Sequence, residues 1–239
     1  MNVQLEETMK AARITHTLVL AAALAVPILS PAHARADAAS WETLRHEDGI
    51  VVSRRVVPGS PFVAFRGEGD VDAPLLLVGS VLVEIDRDHE WIDSVAEARV
   101  LRQVNRTEYV TYSHVATPPT MSDRDFVMDV TLDADPATKS LVVRMHSVND
   151  PSAPKTKYVR GDMQESVFTL TSIDGGKRTH VVAEVHCDPK GNIASWIVNL
   201  FQKSWGYNTI HALRAQLTKK DIAVHPVLAA ILEEKGFFR

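Results

Sequence analysis

The sequence contains little cysteine and little net charge. Cys187 is the only cysteine among 239 residues, so an intrachain disulfide is excluded. The formal net charge is −4, which argues against a nucleic-acid partner held by bulk positive charge. The chain without its first 34 residues, about 205 residues, is long enough for one domain with a large core or an internal cavity.

Motifs for nucleophilic catalysis and for metal binding are also scarce. No Gly-x-Ser-x-Gly motif occurs, and Cys187 shares the apolar face of a predicted strand with Val185, which is typical of a buried, inert thiol. His180, Glu184 and His186 lie on the other face of that strand and could hold a metal. On an outer, polar face such residues are usually solvated, so we predict no metal and no cofactor.

The longest apolar run of the chain, residues 18–29, is too short to span a bilayer comfortably. Lys10 and Arg13 precede this run, and the small residues Ala32-His33-Ala34 follow it. These features predict a secretory signal peptide over residues 1–34, with cleavage as late as residue 38 or an uncleaved anchor as alternatives. An exported protein without disulfides is typical of a bacterial periplasm, so we expect that location.

Residues 122–132 predict a strand whose two faces differ. One face is apolar, and the other carries Asp125, Asp129 and Thr131. The apolar face comprises Phe126, Met128, Val130 and Leu132. Arg124 has the parity of this apolar face, so its head group either reaches water at the strand end or is buried with a partner.

The whole pattern predicts an α+β fold, because successive strands alternate on one side only. We expect a short helix capped by Ser40, a helix after Pro74, a short helix around Trp91, a long helix from Asn192 to Leu217 and a last helix from Pro226. The predicted strands are 50–56, 62–71, 96–104, 108–116, 122–132, 140–147, 164–170 and 179–187. Residues 40–219 would form one domain, and residues 220–239 a C-terminal extension with a short helix.

Several short motifs in this order resemble the START (StAR-related lipid transfer) superfamily. No single motif is diagnostic, but their order and spacing together make the resemblance fairly specific. The motifs are Trp41 with Asp48-Gly49-Ile50, Phe65-Arg66-Gly67-Glu68-Gly69 before Ala73-Pro74, Trp91, Glu97-Ala98-Arg99-Val100-Leu101, Arg124-Asp125-Phe126-Val127 and Gly191-Asn192-Ile193-Ala194-Ser195-Trp196-Ile197-Val198-Asn199.

The resemblance implies a helix-grip fold, in which a curved antiparallel sheet wraps around a long C-terminal helix and encloses a hydrophobic cavity. It also implies a buried acid–arginine pair at Glu97 and Arg124, which would either meet a polar group of the ligand or only stabilise the fold. The residues that we expect to contact the ligand are Glu97, Tyr112, His114, Arg124, Phe126, Met128, Leu141, Val143, Met145, Phe168, Ile197 and Phe201.

By this resemblance, the protein binds one lipid or sterol-like molecule and transfers or buffers it, as a monomer with transient contact to a membrane surface. Two alternatives stay open. In the first, His114 with Tyr112 acts as an acid–base pair in a cyclase-like or hydrolase-like enzyme on a hydrophobic substrate, although we expect no catalysis. In the second, the protein is a ligand-free interaction module, which a fully packed interior would favour.

Overall fold

The computed structural model describes residues 40–194, 197–199 and 203–238. These residues include ten strands that form one sheet, in which the neighbouring strands are antiparallel apart from β6 and β8. The strands are β1 (Glu42–Glu47), β2 (Ile50–Val56), β3 (Val63–Val71), β4 (Val95–Asn105), β5 (Glu108–Val115), β6 (Arg124–Asp135), β7 (Ser140–Ser147), β8 (Val159–Arg160), β9 (Asp162–Ile173) and β10 (Arg178–Asp188).

The strand order of the sheet is β1-β2-β3-β10-β9-β7-β6-β5-β4, and β8 pairs with β6 outside this path. The described helices are α1 (Leu75–Val83), α2 (Trp205–Gln216) and α3 (Pro226–Glu234), with 3-10 helices at Ile85–Glu90 and Asp174–Gly176. The predicted α+β fold with a curved antiparallel sheet is thus confirmed. None of the described helices is long and apolar enough to cross a membrane.

Helix α2 lies directly against β3, because two glycines meet at the contact. A Cβ atom on Gly67 would lie 2.3 Å from the carbonyl oxygen of Gly206, a distance that only glycine permits. The contact brings Ile210 and Leu213 into the core, where both are fully buried. Leu228 and Leu232 of α3, which packs against α1, are also buried.

Three elements differ from the sequence prediction. Residues 42–47 form the edge strand β1 on β2, and not a helix capped by Ser40, because sheet pairing outweighs the weak stability of one isolated helical turn. The strand β8 was not predicted. The expected continuous helix from Asn192 is interrupted: residues 197–199 are helical, Lys203 and Ser204 form a turn, and α2 begins at Trp205.

Candidate ligand-binding cavity

A cavity of about 350 Å³ lies on the inner face of the sheet. This volume falls within the range of pockets that hold small organic ligands, roughly 300–1,000 Å³. Its wall is mostly apolar, and it is formed by Asp88, Ile92, Asp93, Ser94, Val95, Ser113, Val115, Ala116, Thr117, Pro118, Met121, Arg124, Phe126, Met128, Met145, Met163, Ser166, Phe168, Val185, Cys187, Pro189, Ile193, Ile197, Val198, Trp205 and Thr209.

Five of the predicted apolar residues lie in this wall, and alternation along the strands places four of them there. Phe126 and Met128 of β6, Met145 of β7 and Phe168 of β9 face the cavity, and Ile197 closes it from the helical side. The indole ring of Trp205 at the start of α2 meets the Phe168 ring edge to face, with 6.3 Å between centroids. Whether these side chains contact a ligand stays a prediction.

Leu141 and Val143 do not line the cavity, which corrects the sequence prediction. They share the inner face with Met145, but they are 0 % and 1 % exposed within the continuous core. Gly79 of α1 lies against Leu141 so closely that a Cβ atom there would be 2.8 Å from the leucine side chain. Helix α1 therefore covers this part of the sheet. Phe201, also predicted to contact the ligand, lies outside the described residues.

Tyr112 and His114 face away from the cavity, which also corrects the prediction. Their neighbours Ser113 and Val115 line the cavity, so alternation turns Tyr112 and His114 to the outer face of the sheet. There the His114 ring approaches the carboxylate of Asp123 at 2.8 Å and stacks on the ring of Tyr158, in the loop before β8. The outer position of both residues removes the acid–base pair on which the enzyme alternative depended.

The predicted pair of Glu97 and Arg124 is not formed. The Glu97 side chain is 51 % exposed and pairs with Arg99, on the outer face of the edge strand β4. A bulge between Val95 and Glu97 explains this, because Val95 lines the cavity and the extra residue reverses the parity of the strand after it. Glu97 therefore lies opposite His114, which also faces outward.

Arg124 is buried, as one of the two interpretations held, but its partners are backbone carbonyls. The side chain is 5 % exposed. Its Nε donates to the carbonyl of Pro189 at 3.2 Å, its Nη2 donates to the carbonyl of Lys190 at 3.1 Å, and its Nη1 donates to the carbonyl of Ser122. Burial lowers the pKa of Arg124, and the nearby Asp123 opposes that effect. Arg124 thus joins the start of β6 to the segment after β10.

Two acidic residues in the cavity wall were not among the predicted site residues. Asp88, in the 3-10 helix Ile85–Glu90, lies in the wall, and Asp93 follows it at the exposed rim. Burial raises the pKa of Asp88 well above its usual range, and the charge of Asp86 adds to the rise. A six-residue segment with five charged or polar positions reads as solvated, so hydrophobic patterning gave no signal for a half-buried acid in the cavity wall.

Two histidines considered as possible metal ligands contact side chains of neighbouring elements instead. The His180 ring contacts the carboxylate of Asp70 at 2.7 Å, and the His186 ring contacts the Ser60 hydroxyl at 3.1 Å. Within the described part of the chain, no cluster of three or more His, Cys, Asp or Glu residues could hold a metal ion. Burial raises the pKa of the Cys187 thiol to about 12, as an inert thiol requires.

The family model of the START domain matches residues 30–220 of this chain. The chain is 29 % identical over 185 residues to an uncharacterized protein of Pseudomonas aeruginosa, a match that covers 77 % of this chain and 89 % of that protein. It is 27 % identical to the mouse phosphatidylcholine transfer protein, with 70 % of this chain and 78 % of that protein covered.

A solved bacterial structure has the same fold. It is the STAR-related lipid transfer protein of Xanthomonas axonopodis, with a TM-score of 0.67 and 29 % sequence identity. The match covers 75 % of this chain and 99 % of that chain.

Proposed function

The chain belongs to the START domain family, and from this premise we propose that it binds one hydrophobic molecule in the cavity of its sheet and transfers or buffers it. Relatives that match this chain include proteins named for lipid transfer. The observation that carries the proposal is an apolar cavity on the inner face of the sheet, where a packed interaction module would have side chains.

The size of the cavity narrows the ligand to a compact molecule. About 350 Å³ lies near the lower end of the roughly 300–1,000 Å³ range of small-ligand pockets. That space suits one chain or one fused ring system better than the two long acyl chains of a phospholipid. We therefore expect a single-chain or sterol-like lipid, in contrast to the ligand for which the mouse phosphatidylcholine transfer protein is named.

The location of the protein, its monomeric state and its contact with membranes are also proposed from the sequence. We infer export to a bacterial periplasm from the predicted signal peptide over residues 1–34, and transport of the ligand by a monomer that touches membrane surfaces transiently. The loop between β5 and β6 supports the membrane contact, because Ala116 and Pro118 border the cavity and are exposed. A ligand that enters at this loop would leave the membrane without crossing bulk water.

The test combines native mass spectrometry of the purified protein with uptake of diphenylhexatriene, a fluorescent hydrocarbon without polar groups. We expect one co-purified hydrophobic molecule per chain and saturable uptake of one probe. A Ser166→Leu variant should weaken uptake, because Ser166 lines the cavity and is 4 % exposed. The matched control is Thr169→Leu in the same strand, at the opposite parity, and it should bind normally.

Absence of both a co-purified molecule and probe uptake would contradict the proposal. Equal effects of the two substitutions would contradict the assignment of this cavity as the binding site.

A further inference from the structure

The charged groups in the cavity wall are unevenly available to a ligand. Among the described lining residues they are Asp88, Asp93 and Arg124. Arg124 already directs its guanidinium to three backbone carbonyls. Asp93 is exposed at the rim, where its carboxylate accepts a hydrogen bond from the Asn208 amide at 3.3 Å. Asp88 is therefore the charged residue of the wall whose chemistry is open to a bound molecule.

The surroundings of Asp88 disfavour a negative charge. Trp91 and Tyr109 both interact electrostatically with this carboxyl group, and they are only 7 % and 6 % exposed. Asp86 on the same 3-10 helix repels a second negative charge, and the indole N–H of Trp91 only partly offsets these effects. The nearest cation in sequence, Arg87, pairs instead with Glu90 and Asp221.

One donor near Asp88 also has no acceptor. The hydroxyl of Tyr109 is buried and has no hydrogen-bond partner among the described residues. Burial raises the pKa of Tyr109, and the charge of Asp88 acts in the same direction, so the two groups are electrostatically coupled. Neither Trp91 nor Tyr109 lines the cavity, so Asp88 is the member of this group that a bound molecule can contact.

We propose that Asp88 is the polar anchor of the cavity and hydrogen-bonds an uncharged oxygen of the ligand. A carboxylic acid offers one O–H donor and carbonyl acceptor capacity, which match a hydroxyl, ketone or ester group. The inference rests on the proposed function and adds the ligand class to it: a neutral lipid that carries one such oxygen.

The same geometry excludes lipids with charged head groups. An anionic head group would approach an acid, while the cation of the wall, Arg124, is already hydrogen-bonded to backbone. A cationic head group would require Asp88 to ionise in an apolar site. The attraction between the two charges would offset the cost of desolvating them only in an ideal geometry.

The test uses four compounds with one hexadecyl chain length: hexadecan-1-ol, methyl palmitate, palmitate and hexadecylammonium. Each competes with diphenylhexatriene for the wild-type protein at pH 7. We expect the alcohol and the ester to displace the probe at least about tenfold more strongly than the two ions. Palmitate or hexadecylammonium that competes as strongly as the alcohol would overturn the inference.

Two variants assign the preference to Asp88. Asp88→Asn keeps a donor and an acceptor, so hexadecan-1-ol should bind within about twofold of wild type. Asp88→Leu removes both, and the loss of a hydrogen bond should weaken hexadecan-1-ol about three- to tenfold more than it weakens the hydrocarbon probe. Unaltered binding of the alcohol to Asp88→Leu would overturn the anchor. Failure of the probe to bind wild type would overturn the proposed function itself.

Discussion

Replacement of Arg124 by leucine separates the contact seen in the structure from the pair predicted by the sequence. The substitution removes the guanidinium that joins the carbonyl of Ser122 to those of Pro189 and Lys190. These carbonyls flank β6 and β10, two strands that line the cavity. The variant should therefore be less stable, and the segments before β6 and after β10 should be held together less firmly.

The expected fall in the free energy of unfolding follows from the loss of three hydrogen bonds and from the cost of burying the charge. Hydrogen bonds to a charged group contribute about 1.5–3 kcal/mol each. The desolvation of a side chain that is 5 % exposed offsets much of that sum, in keeping with the lowered pKa of Arg124. Since the loss also leaves carbonyls without a donor, we expect the free energy of unfolding to fall by about 2–4 kcal/mol.

Urea denaturation measures this loss, and two further variants make the result specific. Arg124→Lys keeps the charge but not the planar set of donors, so it should recover only part of the stability. Glu97→Gln should change the free energy of unfolding by less than about 0.5 kcal/mol, because Glu97 is at the surface. A buried pair with Arg124 would instead make that loss about 3–5 kcal/mol.

Two outcomes would refute the reasoning. A stability of Arg124→Leu within about 0.5 kcal/mol of wild type would show that the three carbonyl contacts contribute nothing measurable. A loss in Glu97→Gln as large as that in Arg124→Leu, with no further loss in the double variant, would show that the two side chains act as one pair.

Three further predictions concern packing and pH. Gly67→Ala should lower the free energy of unfolding by about 1–3 kcal/mol in urea, since a Cβ atom would lie 2.3 Å from the Gly206 oxygen; an unchanged midpoint would contradict that contact. Burial alone would raise the pKa of Asp125, but the hydrogen bonds from Arg160 hold it below its usual value, so its ionised form stabilises the fold above the unfolded pKa of about 4. That stabilisation is lost as pH falls through the folded pKa, and thermal melts of Asp125→Asn should show a smaller loss of stability on acidification. Asp88 has the opposite sign: burial raises its pKa, so stability falls as pH rises above about 4, and Asp88→Asn should melt higher than wild type at pH 7 but not at pH 3.

The strands were predictable because their signal is local. Alternation alone places Phe126, Met128 and Phe168 on the inner face, and the structure has them in the cavity wall. Alternation does not reveal which part of that face a helix covers. Leu141 has the parity of Met145, yet α1 packs on the leucine and leaves the methionine beside open space, because the position of α1 depends on contacts far apart in sequence.

Charged residues were harder to place, because one bulge exchanges the faces on which the following residues of a strand lie. The bulge after Val95 turns Glu97 outward, and no glycine or proline marks that position in the sequence. Similarly, β1 exists because β2 offers it an edge, and its exposed residues carry no one-sided apolar pattern. Family resemblance predicted that Glu97 would be an acid in the cavity, but the acids in its wall are Asp88 and Asp93.

The position of Asp88 connects the stability of the protein to its proposed function. An acid in an apolar wall lowers the stability of the empty protein at neutral pH, because burial raises its pKa in the folded form and so disfavours the ionised state that water favours in the unfolded form. The same burial makes a hydrogen bond from that acid to a ligand strong, since water competes poorly there. The loss of stability and the selectivity for the ligand therefore have one physical origin. A substitution of Asp88 that restores the stability should also abolish the selectivity. Asparagine is the exception, because it keeps a donor and an acceptor.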